Sequence, residues 1–253
     1  MSSLSPSPAA VEQALMALAD DRQRSVLQRF FKTGPGQYGE GDVFLGVRVP
    51  QVRAVVKLVS GQIGLDHIPV LLHSPYHEVR LAGFLLLVDA MKLALRSARQ
   101  ASCVEADAVV DCYLAHSHLA NNWDLVDLSA PKVLGRYLLS PAGRSRYPHC
   151  EILDSLSRSD VLWQQRIAIV STWTLIRADD YAPTLRLAAR LLSHRHDLIH
   201  KAVGWMLREV GKRDAAVLRS FLHDHATQMP RTALRYAIER LAPSERKHWL
   251  SVR

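Results

Sequence analysis

The sequence is poor in cysteine and lacks any long apolar run. Its three cysteines are Cys103, Cys112 and Cys150. Their odd number and unpaired spacing support neither a disulfide framework nor a zinc site. The longest apolar stretch, within residues 80–95, is interrupted by Gly83 and Asp89, and is typical of a buried helix rather than a membrane span. The first ten residues have no basic start or apolar core of a secretion signal. We therefore expect a reducing, cytoplasmic compartment, nucleoid-associated if the source is bacterial.

Several patterns that mark common enzyme classes are also missing. The chain has neither a phosphate-binding glycine loop nor a nucleophile elbow. No stretch alternates apolar and polar residues for long enough to indicate a strand. Apolar residues instead recur at helical intervals from Val11 to about Leu241. The sequence therefore predicts an all-α fold.

The predicted helices follow one another with short connections. They cover residues 11–32, the stretch FLGVRVPQVRAVVK with Pro50 in its first turn, and residues 65–73, 75–95, 97–115, 122–129, 131–139, 150–157, 160–177, 182–192, 196–211, 213–224 and 230–241. Successive helical hairpins favour a solenoid of HEAT-like units with a period of about 40–47 residues, and a looser orthogonal bundle is the alternative. We predict a flexible tail over 1–10 and a single α-helical HEAT-like-repeat domain over 11–253. Two turn-rich segments, TGPGQYGEGD and SPAGRSRYP, are predicted loops.

The charge is strongly basic. Lysine and arginine number 32 against 24 acidic residues, which gives a formal charge of +8 and a pI near 9.7. Such a balance favours a polyanionic partner, nucleic acid before a membrane surface.

The stretch NNWDLVDLSA, residues 121–130, carries an unusual pair of side chains. Asp124 falls in the first turn of the predicted helix, where a carboxylate interacts well with exposed amides. Asp127 lies one turn from Trp123 on the same side, while Leu125 and Leu128 point roughly the opposite way. An indole and a carboxylate thus share a face that the core does not need, which indicates a site.

A second tryptophan lies on a basic helix face in KAVGWMLREVGKR. Trp205 points roughly 150° away from the stripe of apolar residues on this helix. Its neighbours on that face are Lys201, Arg208 and Lys212. This arrangement suits contact with a phosphate backbone and a base. The alternative is that Trp205 packs beneath the next helix.

Arg166 falls in the middle of an apolar helix face in DVLWQQRIAIVSTW. A buried guanidinium must meet a carboxylate, a phosphate or a wet groove, and a structural salt bridge is the commoner outcome. Trp123, Arg166 and Trp205 are separated by 43 and 39 residues, each close to one repeat length. Equivalent positions of successive repeats would line one concave, basic groove.

The segment HRHDLIH, residues 194–200, resembles a cluster of metal ligands. It starts a predicted helix and lacks a matching group of carboxylates or cysteines, so we do not predict a metal there.

Four segments, FLGVRVPQVR, NNWDLVDLSA, LWQQRIAIV and KAVGWMLREVGKRD, occur in order between about Arg24 and Arg240. Together they resemble the AlkD-like alkylpurine DNA glycosylases, a HEAT-like-repeat family of DNA alkylation repair enzymes. In that family two tryptophans, one aspartate and one arginine line the DNA-binding groove. Carried over by motif, these are Trp123, Trp205, Asp127 and Arg166, and Tyr38 corresponds to a DNA-contacting tyrosine. These expectations add to the reading of the helix faces.

The resemblance implies hydrolysis of the N-glycosidic bond of 3-alkyladenine and 7-alkylguanine in duplex DNA, without base flipping. Such purines are cationic and leave as neutral bases, so no general acid is needed. Asp127 would stabilise the oxocarbenium-like sugar and position a water, while the two tryptophans hold the cationic lesion and Arg166 binds a phosphate. We expect no cofactor or metal and no strand cleavage. We expect the protein to be a monomer.

The rival interpretation is a non-catalytic HEAT-like module that binds nucleic acid or a protein segment. Basic charge and exposed tryptophans would serve such a module equally well. Asp127 separates the two, because an anion in a DNA-facing groove repels phosphate and weakens plain binding.

Overall fold

The computed structural model describes residues 6–97 and 104–252 of the chain. They form helices and no strands within these ranges, and the one pairing of strand type is an isolated bridge between Val43 and Tyr76. The all-α prediction is confirmed. The chain divides into two compact units, Met1–Val133 and Leu134–Arg253.

The first unit is built around one long helix whose N-terminal half is completely buried. Its helices are α1 Pro8–Met16, α2 Asp21–Phe30, α3 Val49–Val59, α4 Ile68–Leu72, α5 His77–Ser97, α6 Val104–Ala115 and α7 Trp123–Ser129. Every residue of α5 from His77 to Leu87 is buried, and α5 packs against α1, α3, α4, α6 and α7. The stretch predicted as a buried helix is thus the centre of the unit. Cys103 and the predicted helical residues 98–103 lie outside the described residues.

The prediction of one helix over 11–32 is wrong. The chain forms α1 and α2 instead, with a turn between them. Asp20 starts a new helix, because its carboxylate accepts a hydrogen bond from the Gln23 N–H at 3.0 Å and caps α2. Its own N–H donates to the Leu45 carbonyl at 3.1 Å. The helix α1 also begins at Pro8, within the segment predicted as a tail.

The second unit contains the remaining helices. They are α8 Arg136–Leu139, α9 Pro141–Arg146, α10 Glu151–Ser157, α11 Leu162–Ile176, α12 Ala182–Leu191, α13 Asp197–Arg213, α14 Ala215–His225, α15 Arg231–Ala237 and α16 Pro243–Ser251. The helices α11 and α13 pack against each other, α11 also against α10 and α12, and α13 also against α14 and α15. No helix among the described residues of either unit is long and apolar enough to cross a membrane.

Two segments of the second unit differ from prediction. SPAGRSRYP was expected to be a loop, but six of its residues form α9. The Ser140 hydroxyl accepts a hydrogen bond from the Gly143 N–H at 3.1 Å, and Pro141 occupies the first turn, so the chain has a normal helix start there. The helix α16 was not predicted.

The glycine-rich loop between α2 and α3 is held by Glu78 in the first turn of α5. Its buried carboxylate accepts hydrogen bonds from the N–H groups of Leu45, Gly46 and Val47 at 2.8, 2.8 and 3.0 Å. Gly46 has φ +91°, and a Cβ there would lie 2.1 Å from the Asp20 carbonyl oxygen. The loop can therefore pass this point only with glycine.

A second set of buried charges fixes the same loop. His77 Nδ1 lies 2.7 Å from Asp42 Oδ2, and His77 Nε2 lies 2.9 Å from Asp124 Oδ2 in α7. Arg80 donates to the other oxygen of Asp42 and to the carbonyls of Ser74 and Pro75. Both carboxylates, the imidazole and the guanidinium are nearly inaccessible to solvent.

The protonation states of this network follow from its composition. Burial alone would lower the pKa of His77, but the Asp124 and Asp42 carboxylates raise it to about 9. Burial raises the pKa of Asp42, and the contacts with His77 and Arg80 outweigh this and hold it below its usual value. At neutral pH the network therefore contains an imidazolium between two carboxylates.

Replacing Glu78 with glutamine tests the loop anchor. The amide nitrogen of glutamine would face backbone N–H groups, donor against donor, in a buried site. We expect the free energy of unfolding to fall by roughly 2–4 kcal/mol, measured by urea denaturation. Glu105→Gln, on an exposed side chain of α6, is the matched control and should change stability little. Equal stability of the two variants would contradict the anchor.

The stability of the protein should depend on His77 between pH 6.5 and 9. The folded protein retains this proton up to about pH 9, whereas the unfolded chain loses it near 6.5, so the stabilisation is complete below 6.5 and is lost as pH rises. Relative to His77→Gln, the free energy of unfolding should fall by about 3 kcal/mol across this window. Urea denaturation at several pH values measures it. A constant difference between the two proteins would contradict the buried imidazolium.

Candidate functional site

The predicted pair of site residues lies on the short helix α7. The Asn122 side chain caps the helix by accepting a hydrogen bond from the Trp123 N–H at 2.9 Å. Trp123 and Asp127 are both half-buried, and Leu125 between them is fully buried. The helix therefore uses one side for the core and leaves the indole and the carboxylate, one turn apart, partly accessible.

Trp123 belongs to a group of packed rings. It stacks on Phe31 with ring centroids 5.1 Å apart and an interplanar angle of 26°. Phe30 contacts it edge-on at 5.7 Å, and the Phe30 side chain is itself 59% exposed. Behind Phe31 the stack continues to Phe44 and then to His77. The ring centroids of Phe44 and His77 are 4.3 Å apart. The indole is thus oriented from behind by buried rings, and Phe30 extends its accessible aromatic surface.

Asp127 lies in the electrostatic environment of a buried tyrosine. Tyr113 of α6 is completely buried and its hydroxyl lies 3.1 Å from the Ser129 Oγ of α7. Burial raises the pKa of Tyr113, and the negative charge of Asp127 raises it further. The phenol therefore remains neutral, so it can join α6 to α7 through Ser129 without placing a second anion beside Asp127.

Asp124 has a different environment from the one expected. From its place in the first turn of the helix, the sequence predicts that Asp124 interacts with the exposed backbone amides. In the structure it is buried and contacts His77 of α5. The helix α7 therefore carries two carboxylates with separate surroundings, one enclosed in a charge network and the other, Asp127, near the surface.

Tyr38 lies in the loop that Glu78 and Asp42 anchor. Its side chain is half-buried. The adjacent Gly39 passes so close to the Phe31 carbonyl that a Cβ there would lie 2.5 Å from that oxygen. The backbone beside Tyr38 is consequently fixed near the ring that supports Trp123, while a DNA contact by Tyr38 stays a prediction.

In the second unit, Arg166 is buried in α11, as its place on an apolar face predicted. Its Nη1 donates to the Leu198 carbonyl of α13 at 2.6 Å. A neutral carbonyl in the first turn of a neighbouring helix is therefore one partner of this guanidinium. This hydrogen bond joins the Arg166 side chain to α13.

Trp205 occupies the predicted face of α13. The apolar stripe of the helix is fully buried at Val203, Met206, Leu207 and Val210, whereas Trp205 is half-buried. Next to it, Gly204 allows close contact with α15, since a Cβ there would lie 2.5 Å from the Ala233 carbonyl oxygen. Trp205 thus lies outside the core stripe while its helix is tightly packed.

The three predicted cations of α13 form ion pairs. Lys201 lies 2.8 Å from Asp197, and Lys212 lies 2.6 Å from Glu209. Arg208 pairs with Glu239 of α15, and its guanidinium lies over the Tyr236 ring. The Lys201 and Asp197 side chains are 41% and 54% exposed, so this pair contributes little to stability and can exchange partners.

The histidines of HRHDLIH serve the start of α13. His196 Nδ1 accepts a hydrogen bond from the Leu198 N–H at 3.1 Å, and His194 Nε2 lies 2.7 Å from Gln165 Oε1 of α11. Burial lowers the pKa of both histidines. In residues 6–97 and 104–252 no group of three or more histidine, cysteine, aspartate or glutamate side chains is placed to hold a metal ion.

The chain that contains the packed rings around Trp123 and the basic face of α13 resembles known proteins along most of its length. None of the curated proteins compared with it matches. Among solved structures, one described as a predicted DNA alkylation repair enzyme from Enterococcus faecalis superimposes with a TM-score of 0.64. It is 16% identical, and the match covers 89% of this chain and 97% of that chain. At this identity the likeness shows the fold alone.

A family model described as DNA alkylation repair enzyme matches residues 11–241. That range includes all the candidate site residues of both units. It agrees with the resemblance carried by the four sequence motifs, which is thereby confirmed at the level of the family. The chain belongs to the DNA alkylation repair enzyme family, and its role is in DNA repair.

Proposed function

We propose that this protein is a DNA glycosylase that hydrolyses the N-glycosidic bond of cationic alkylated purines, 3-alkyladenine and 7-alkylguanine, in duplex DNA. The observation that carries the proposal is the half-buried pair Trp123 and Asp127, one turn apart on α7. A carboxylate and an indole in this arrangement can contact a deoxyribose and a cationic base together. Membership of the DNA alkylation repair enzyme family supports DNA as the substrate.

The chemistry needs only one carboxylate. A purine alkylated at N3 or N7 carries a positive charge, and cleavage of its bond to C1′ gives a neutral base and an oxocarbenium-like sugar. No proton donor to the leaving group is required, unlike at an ordinary glycosidic oxygen. Asp127 stabilises the positive charge that moves to the sugar and accepts a proton from the attacking water. The reaction requires no metal or organic cofactor and leaves the DNA backbone intact.

The aromatic surface selects for charge. The face of Trp123 attracts a cationic base or sugar, and the rings of Phe31 and Phe44 behind it fix its orientation. Phe30 widens this surface, because its ring is mostly exposed and touches the edge of Trp123. A surface of this kind can act on a base that remains in the duplex, as the resemblance to AlkD-like glycosylases implies.

The second unit contributes DNA contacts in this proposal. Trp205 provides a half-buried aromatic ring on α13, and Lys201 and Lys212 provide cations in exposed pairs. Arg166, which donates to the Leu198 carbonyl at 2.6 Å, is assigned to a phosphate. These residues position the duplex, whereas Asp127 performs the bond cleavage, and the protein acts as a monomer.

Asp127→Asn tests the assignment of the carboxylate. We expect release of 3-methyladenine and 7-methylguanine from methylated duplex DNA to fall roughly 100-fold to 10,000-fold, the usual effect of losing such a group. Affinity for the duplex should be unchanged or higher, because a negative charge near phosphate is removed. Free base is measured by chromatography in the presence of a chelator.

The matched control is Asp66→Asn, an exposed aspartate of the same unit, which should release base at the wild-type rate. Release by Asp127→Asn at that rate would remove Asp127 from the mechanism. Binding of the duplex by wild type without release of any alkylated base, over a panel of small and bulky lesions, would replace the proposal with a non-catalytic binding module.

Lys201→Gln tests the contacts of α13 with DNA. If Lys201 leaves Asp197 to bind a phosphate, its loss should weaken binding of any duplex sequence and reduce the slope of log affinity against log salt by about one. Fluorescence anisotropy between low and physiological salt measures this slope. Lys247→Gln, an exposed lysine of α16, should leave it unchanged. The same slope in both variants and wild type would exclude Lys201 from the interface.

A further inference from the structure

His77 is a buried ionisable group that the proposed reaction does not use directly. It is the first residue of α5, and its ring nitrogens contact Asp42 of the glycine-rich loop and Asp124 of α7. Asp42 is also contacted by Arg80 of α5 and by Asn122 at the start of α7. Phe31 and Phe44 cover the ring.

Two contacts of His77, with Asp124 and with Phe44, lead to candidate site residues. Asp124 follows Trp123 directly and precedes Asp127 by less than one helical turn. On the other side, the His77 ring stacks on Phe44, Phe44 on Phe31, and Phe31 on Trp123. His77 is therefore joined to Trp123 by a hydrogen-bonded route and by a route of packed rings.

We propose that His77 is a positioning residue, which acts as a buried cation to hold the first turn of α7 and the glycine-rich loop together and so fixes Trp123 and Asp127 for base release. The inference rests on the proposed function for its chemical consequence. Its structural part concerns only the coupling between His77 and α7.

The number of protons on the imidazole decides whether His77 can hold both carboxylates. An imidazolium donates two hydrogen bonds, one to each carboxylate, whereas a neutral imidazole donates one and presents a lone pair to the other carboxylate. In a site that excludes water, the second contact then becomes repulsive and no solvent replaces it. Either α7 or the loop must move away. A displacement of the order of 1 Å is enough to lower a catalytic rate about 100-fold.

The experiment compares pH profiles of single-turnover base release at saturating enzyme, for wild type, His77→Gln and Asp124→Asn. The uncatalysed release is subtracted and folding is verified by circular dichroism at each pH. Wild-type release should fall at alkaline pH with a midpoint near the His77 pKa of about 9. Because the Asp124 charge is the largest influence that raises this pKa, Asp124→Asn should move the midpoint at least about one pH unit lower.

His77→Gln should release base roughly tenfold to 100-fold more slowly, with no alkaline fall and little change in DNA affinity. The control His67→Gln, on an exposed histidine of the same unit, should retain the wild-type profile. The inference is overturned if Asp124→Asn and wild type have the same midpoint, or if His77→Gln matches wild type in rate and profile.

A second measurement separates this inference from the proposed function. The Trp123 indole resonance, assigned with Trp123→Phe, and the His77 ring nitrogens are followed by NMR in the full chain as pH is raised. We expect both to change with one midpoint, which Asp124→Asn moves to lower pH. If wild type releases no base, the proposed function fails and this titration alone decides the inference. An indole signal that stays constant while His77 titrates would overturn it.

Discussion

Two hydrogen bonds from one buried imidazolium determine how the first unit is assembled. His77 joins Asp42 and Asp124, which are 35 residues before it and 47 residues after it in the chain. Arg80 adds a second positive charge at Asp42, so two cations balance two carboxylates and the group can be buried without a net charge. The loop, α5 and α7 therefore have fixed relative positions, although the loop is rich in glycine.

The same helix then uses two aspartates in different ways. Asp124 is enclosed and compensated by His77, which makes it part of the framework. Asp127, three residues further along the helix, is half-buried and lies near the neutral phenol of Tyr113. Environment rather than residue type distinguishes the two carboxylates, as in other sites that contain a pair of them. Under the proposed function, Asp127 acts on the substrate while the charge of Asp124 is already paired with His77.

Periodicity was sufficient to predict the all-α fold, the buried helix that begins α5 and the faces of Trp123 and Trp205, because these depend on local spacing. The break between α1 and α2 depends on Asp20 as a cap and on its bond to Leu45, 25 residues away, which periodicity does not contain. The partners of His77 are equally remote. A signal did exist, since His77, Glu78 and Arg80 are polar residues at the start of a helix that is otherwise almost wholly apolar, and such residues need buried partners.

The cations of the second unit follow a different rule from those of the first. The Lys201 and Lys212 side chains are each 41% exposed and pair with Asp197 and Glu209 of the same helix, and an exposed ion pair has little net free energy. Under the proposed function, a phosphate replaces the carboxylate of the Lys201 pair at small cost. Arg80 could not make this exchange, because removing it would leave Asp42 buried beside a single cation. The buried charges around His77 thus hold the first unit together, whereas the accessible Lys201 and Lys212 are residues that the proposed function assigns to DNA.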